Sequence, residues 1–316
     1  MSFFKTLCLS ASLASLASPL MAADSFDRVG GHHIAVWRPA NGTWHVYNRT
    51  TGAVRSQQWG QVGDVPVPAD YDGDGTTDFA VWRPSNGTWY VLNSKTGSTS
   101  SWQWGQLGDV PAPGIYRTNY TELAVWRPSN GTWYVLNTRA NTYVAHRWGI
   151  SGDVPVPGSY ATGGSFLLFP IPAYGIWRPS EANWYIHDVY GNAGRAPVQW
   201  GQRGDIPVPA DYNDDGVTDF AIWRPSTATW WVLKSNFYTA PNGGTSFAQQ
   251  WGQAGDVPIA ADYDADGKAD YTVWRPSNGT WYIIHSSTHT WFGWQWGLQG
   301  DVPVRYYVAP PPQVVK

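Results

Sequence analysis

Cysteine is nearly absent: Cys8 is the only one in 316 residues. It sits inside an N-terminal stretch that reads as a leader, so the rest of the chain has no thiol. That excludes a disulfide scaffold, a cysteine nucleophile and thiolate metal sites. Charge is also sparse, at 14% of residues. Removing the leader takes only Lys5 with it and leaves 23 acidic against 19 basic residues. With no basic stripe, the sequence excludes a nucleic-acid partner. Beyond the leader no run is apolar enough to span a bilayer. The seven histidines offer no H-E-x-x-H and no G-x-S-x-G partner, and no segment has helical periodicity.

The leader is residues 1–23. Lys5 precedes a mostly apolar stretch from Leu7 to Leu20, followed by the small residues Ala22 and Ala23. This is the pattern of a secretory signal peptide cleaved near Ala22 or Ala23, so the mature chain is expected to be exported, secreted or otherwise extracytoplasmic.

What the chain has in excess is tryptophan, 22 residues, and internal repetition accounts for most of it. A W-R-P triplet starts at Trp37, Trp82, Trp126, Trp177, Trp223 and Trp274. A second tryptophan follows seven residues later, at Trp44, Trp89, Trp133, Trp184, Trp230 and Trp281. A third stands in a W-G dipeptide at Trp59, Trp104, Trp148, Trp200, Trp251 and Trp296. Each W-G leads into G-D-[VI]-P. Only Trp102, Trp231, Trp291 and Trp294 fall outside the pattern.

Within one repeat the segments PVPADY, DFAVW, TWYVLN and SSWQWG are short, rich in Val, Trp and Tyr, and bounded by Gly, Pro or Asn-Gly. They read as four β-strands. Asn86-Gly87 reads as a two-residue hairpin turn, because both positions tolerate positive φ, and the pair recurs at Asn41, Asn130 and Asn278. Four strands in about 45 residues, six times over, predict an all-β fold: one six-bladed β-propeller over residues 24–308, with a Pro-rich tail at 309–316. The last copy stops after a first strand and the mature N-terminus starts at a second one. The C-terminal strand is therefore expected to pair into the N-terminal blade and close the ring, in place of the missing disulfides.

The six arginines of the triplets (Arg38, Arg83, Arg127, Arg178, Arg224, Arg275) equal the G-D aspartates in number (Asp64, Asp109, Asp153, Asp205, Asp256, Asp301). They are expected to form structural pairs, as partly buried bridges between blades, or to cap backbone groups there. Most repeat tryptophans are expected to fill the packing between blades.

Three loops between first and second strands read D-x-[DN]-x-D-G-x-x-D. They comprise Asp70, Asp72, Asp74 and Asp78; Asp211, Asn213, Asp215 and Asp219; and Asp262, Asp264, Asp266 and Asp270. Alternate residues of a tight loop gather their oxygens around one point, and Gly75, Gly216 and Gly267 permit the turn. A backbone carbonyl at Thr76, Val217 or Lys268 would complete each shell. All-oxygen ligands in a flexible loop favour Ca²⁺, so about three ions are expected. The equivalent slots at Ile115–Glu122, Ser159–Phe166 and Ser25–His33 have lost most ligands. His32-His33, in the last of these, reads as a surface turn.

DYDGDGTTDFAVW, DYNDDGVTDFAIW and DYDADGKADYTVW resemble the FG-GAP/VCBS-type repeats, the calcium-bearing blades of integrin α-chains and of many secreted bacterial proteins. The resemblance covers nearly the whole mature chain and implies a propeller whose loop joins the innermost strand to the second. It implies a broad range of roles: adhesion, glycan binding, or accessory modules of polysaccharide-acting enzymes. Blade number in that family is often seven, so six is a count from this sequence.

Five acids lie outside both acid patterns: Asp24, Asp27, Glu122, Glu181 and Asp188. They are scattered over different blades, whereas a glycosidase needs two carboxylates across one pocket. The expected function is thus a non-catalytic binding module for a glycan or a cell-surface protein, with carbohydrate favoured. A polysaccharide lyase or hydrolase is the third reading. Aromatic rings beside amides suit sugars, which makes Asn41, Trp44, Asn86, Trp89, Asn130, Trp133, Asn278 and Trp281 the candidate ligand contacts.

Overall fold

The computed structural model describes Phe26 and residues 33–160, 171–191, 196–235 and 244–304. The expected leader (1–23), the tail (309–316) and most of the N-terminal degenerate loop lie outside them. Among the described residues every regular element is a strand, and no helix is long and apolar enough to cross a membrane.

Six antiparallel sheets form the six blades of a propeller. Blade 2 shows the plan: Val65–Pro66, Phe79–Arg83, Thr88–Leu92 and Thr99–Gln103, paired in that order. Blade 1 takes its first strand from the far end of the chain. Val302–Val304 pairs with Ala35–Trp37, ahead of Thr43–Asn48 and Val54–Gln58. The ring is therefore closed as the sequence predicts. Blade 4 departs from the plan by one short extra strand, Gly158–Tyr160, beside Ile171–Arg178.

Burial follows strand position. Second strands such as Phe79–Arg83 are buried on both faces, third strands alternate, and outermost strands are largely exposed. The W-R-P tryptophan and its partner seven residues on lie directly opposite one another in the ladder, as in Trp82↔Trp89. All twelve such tryptophans are at most 2% exposed. Burying 150–250 Å² of each ring contributes roughly 4–6 kcal/mol before entropy is counted, so they dominate the core.

The W-G tryptophans do a different job. The indole N–H of Trp59 donates to the Tyr90 carbonyl of the next blade at 3.0 Å. Trp104, Trp148, Trp200 and Trp251 repeat this to Tyr134, Tyr185, Trp231 and Tyr282. Trp296 donates to His45 at 2.9 Å, carrying the bond across the closure from blade 6 to blade 1. Each blade thus satisfies a third-strand carbonyl of its neighbour, which couples the ring without covalent links.

Two local expectations change. The N-G hairpins are four-residue loops: Arg83 pairs with Thr88, and its carbonyl accepts from Gly87 N at 2.9 Å. Only the glycine takes positive φ, +65° at Gly87, and Ala182 (+55°) and Ala228 (+49°) fill that position in blades 4 and 5. His33 is no surface turn. It opens a strand, is 4% exposed, and meets the Phe26 ring edge-on at 6.2 Å.

Candidate metal loops and ligand-binding seams

The acidic loops are closed at their base by a single β-bridge, Ala69↔Asp78 in blade 2, Ala210↔Asp219 in blade 5 and Ala261↔Asp270 in blade 6. In blade 2 the Asp70 carboxylate accepts from Gly73, Asp74 and Gly75 N–H, folding the loop over itself. Ligand oxygens of Asp70, Asp72 and Asp78 come within 4.8 Å of one another, as do those of Asp262, Asp264 and Asp270. Two acidic clusters could therefore hold a metal ion. In blade 5, where Asn213 replaces the second acid, the described residues form no group of three acidic side chains that tight.

Thr76, Val217 and Lys268 stand where a carbonyl would complete each shell. Their N–H groups bond to Asp74, Asp215 and Asp266 Oδ1, each at 2.9 Å. Fit to a cation can be tested on the oxygens left over. Asn213 Oδ1, Asp264 Oδ1 and Asp266 Oδ2 are buried and have no hydrogen-bond donor. A buried acceptor without a donor is costly, and a hard cation supplies the missing charge. Burial, with neighbouring acids adding to it, pushes the Asp78 and Asp270 carboxyls up to about 7 and Asp219 up to about 8. In blade 3, Glu122 takes the closing position and accepts from Tyr116 and Arg117 N–H at 3.1 and 2.7 Å. The closing acid thus organises the loop backbone even where the other ligands are gone.

The opposite face carries the arginines. Each bonds the G-D aspartate of its own blade through two parallel N–H···O bonds, 2.7–2.9 Å from Nε and 2.8–3.0 Å from Nη2. The pairs are Arg38–Asp301, Arg83–Asp64, Arg127–Asp109, Arg178–Asp153, Arg224–Asp205 and Arg275–Asp256. The guanidinium also lies over an aromatic ring in most blades, 4.3 Å above Tyr90 and 4.2 Å above Tyr282. The aspartate closes the W-G-x-x-G-D connection by accepting from the residue three before it, as Asp64 does from Gln61 N at 3.0 Å.

This arrangement corrects the candidate ligand contacts. Trp44, Trp89, Trp133 and Trp281 are 0% exposed, so no ring face is open to a sugar. Asn41, Asn86, Asn130 and Asn278 are exposed, but each Oδ1 accepts from a threonine N–H within its own turn at 3.0–3.1 Å. The Nδ2 of Asn86, Asn130 and Asn278 further donates to Tyr90, Tyr134 and Tyr282 hydroxyls. The repeated half of the motif is turn and core chemistry.

The open aromatics lie elsewhere. The outermost strand of blade 6, Trp291–Gln295, is exposed throughout, with Trp291 at 63%. At the seam with blade 5, Trp291 faces Trp251 at 6.2 Å and borders a cleft of about 260 Å³ with Tyr282 and Arg275. Blade 3 repeats this at the seam with blade 2, where exposed Tyr143 lies 5.4 Å from Trp104. Tyr143 and Trp291 occupy one ladder position, opposite Leu136 and Ile284. The two seams are three blades apart, on opposite sides of the ring. A signal for them was in the sequence: each is seventeen residues after the W-R-P tryptophan of its repeat, where blades 1 and 2 have Val54 and Thr99.

No family model matches the chain, and no curated protein matches it in sequence. Solved structures match it in fold. A lectin from Agrocybe aegerita, described as recognising non-reducing terminal N-acetylglucosamine, aligns with 87% of this chain and 77% of its own, at a TM-score of 0.55 and 14% identity. A functionally unknown protein from Desulfotomaculum acetoxidans aligns with 86% of this chain and 98% of its own, at a TM-score of 0.52 and 10% identity. At these identities the likeness is one of fold.

Proposed function

We propose that this chain is an exported, calcium-stabilised propeller that binds glycans without catalysis, at the seams between blades. The observation that carries the reading is the cleft of Trp251, Tyr282 and Trp291. Trp291 is exposed there, with half-buried Trp251 and Tyr282 behind it and the fixed charge of Arg275 over the Tyr282 ring. Ring faces take sugar C–H groups while neighbouring polar groups take hydroxyls. The second seam, Trp104 with Tyr143, gives the molecule two such places and hence avidity for a repeating glycan. The A. aegerita lectin is a glycan binder on a comparable ring.

The three acidic loops would each hold one Ca²⁺. Asp70, Asp72, Asp74, Asp78 and the Thr76 carbonyl serve the first, and Asp211, Asn213, Asp215, Asp219 and the Val217 carbonyl the second. Asp262, Asp264, Asp266, Asp270 and the Lys268 carbonyl serve the third. The ion would neutralise buried carboxylates and fix the loop, stabilising the native state. Among the described residues, the three acids outside these patterns lie apart. Glu122 and Asp188 are buried in blades 3 and 4, and Glu181 is bonded to Tyr185, Asn183 and Arg178.

A protein partner is the second reading, favoured by exposed Val62, Leu107, Ile150 and Leu298 in the W-G-x-x-G-D connections. A glycan array probed in calcium and in chelator separates the two. Binding of defined glycans supports the proposal. An empty array, with a cell-surface protein held by variants that keep Trp291, supports the adhesion reading.

A further inference from the structure

The blade 5–6 seam holds a second cavity, of about 370 Å³, toward the acidic-loop side. Its apolar part is built by Phe247, Tyr271 and Tyr212: Tyr212 stacks on Tyr271 at 5.8 Å, and Phe247 meets Tyr271 edge-on at 6.5 Å. Two cations, Lys234 and Lys268, line it as well. The Lys234 ammonium lies 5.7 Å from the Phe247 ring, and that of Lys268 donates to Ser287 Oγ at 3.1 Å. Among the described residues neither has a carboxylate within ion-pair distance, although the chain is net acidic and both lysines flank acid-rich loops.

One strand face ties this cavity to the aromatic cleft. Phe247 and Gln249 alternate inward along Ser246–Gln250 and line the cavity, and Trp251, next in the same alternation, lines the cleft. Four residues of strand span about 13 Å. A bound chain lying along the seam would meet rings at one end and two ammonium groups at the other.

We infer that the cavity is a subsite for an anionic sugar residue, one bearing a carboxylate or a sulfate. The ammonium groups of two half-buried lysines, with no counter-ion among the described residues, favour an anion. The aromatic floor and the Gln249 amide suit a pyranose ring rather than a bare ion. The inference rests on the glycan reading of the neighbouring cleft.

The test is calorimetric titration of the full chain, in calcium, with three oligosaccharides that differ in one residue: neutral, uronate and sulfated. At least one acidic form should bind about tenfold more tightly than the neutral one, as a charge-assisted contact implies, and the advantage should shrink with salt. Whichever acidic form is preferred identifies the anion. Lys234→Met should erase the preference and leave the neutral affinity in place, with Lys234→Arg restoring much of it. Neutral and acidic forms binding equally would overturn the subsite and leave the glycan reading standing. Binding of none of the three by a protein that is likewise blank on the array would remove both.

Discussion

Replacing Asp301 with alanine probes how the ring is closed. Its side chain is 2% exposed and accepts from Arg38 at 2.7 and 2.9 Å and from Leu298 N–H at 2.9 Å. Charge-assisted bonds contribute about 1.5–3 kcal/mol each, and removing one partner of a buried pair costs about 3–5 kcal/mol. Arg38 is 25% exposed and recovers some hydration when its partner goes, which places the cost near the lower figure. At about 3 kcal/mol, and about 2–4 °C per kcal/mol for a domain of this size, the melting temperature should fall by about 6–12 °C. Asp205→Ala removes the same kind of pair from blade 5, whose strands are contiguous in sequence, and should cost a similar amount locally. The two variants should part in hydrogen exchange. Only Asp301→Ala should loosen the amides where Val302–Val304 meets Ala35–Trp37. An Arg38→Ala/Asp301→Ala cycle should show the singles to be non-additive. Melting of Asp301→Ala within about 2 °C of wild type, or strictly additive singles, would refute the closure argument.

The acidic loops set a pH dependence. Without metal, the closing aspartates have folded pKa values above their unfolded value of 3.8, about 7 for Asp78 and Asp270 and about 8 for Asp219. The folded state then holds protons the unfolded state releases, so chelated protein should lose stability as pH rises from about 4 to about 8. Added calcium should reverse most of that loss, and a melting curve indifferent to both pH and chelator would rule out the loops as metal sites. Histidine gives the opposite sign. His146, stacked on Tyr174 and 4.5 Å from His187, is held below its usual pKa of 6.5 by burial and by its cationic neighbours. It should cost stability as pH falls through 6.5, and His146→Phe should flatten that limb of a pH–melting profile.

The architecture was legible because it repeats. A tryptophan pair at fixed spacing in six copies can be satisfied only by six equivalent environments, and an orphan first strand at the C-terminus has one sheet edge to join. The arginine–aspartate pairing was visible as matched numbers. The ligand contacts were misread for the same reason: repetition at Trp89 and Asn86 reports what the blade needs, and burial of one ring with self-bonding of the amide leaves little for a partner. What sets the two open seams apart from blade 2 is one outer-strand position, threonine at 99 but tyrosine at 143 and tryptophan at 291. Its meaning depends on which side chains meet it across a seam, and that is fixed only when neighbouring blades are in place. The two-residue turn failed on a smaller point. Proline at position 84 and the Arg83 carbonyl build a longer loop, so glycine alone takes the left-handed conformation.

On the proposed function, sugar binds at the open seam aromatics rather than at the repeated turn. The direct measurement is titration of the best array glycan into wild type, Trp291→Ala and Trp294→Ala, each first shown to melt normally. Trp291 borders the cleft, whereas Trp294 lies tilted against Tyr47 at the next seam, 4.9 Å away. Loss of a stacking ring should weaken binding about tenfold or more in Trp291→Ala, with little change in Trp294→Ala. Undiminished affinity in a well-folded Trp291→Ala protein would contradict the account.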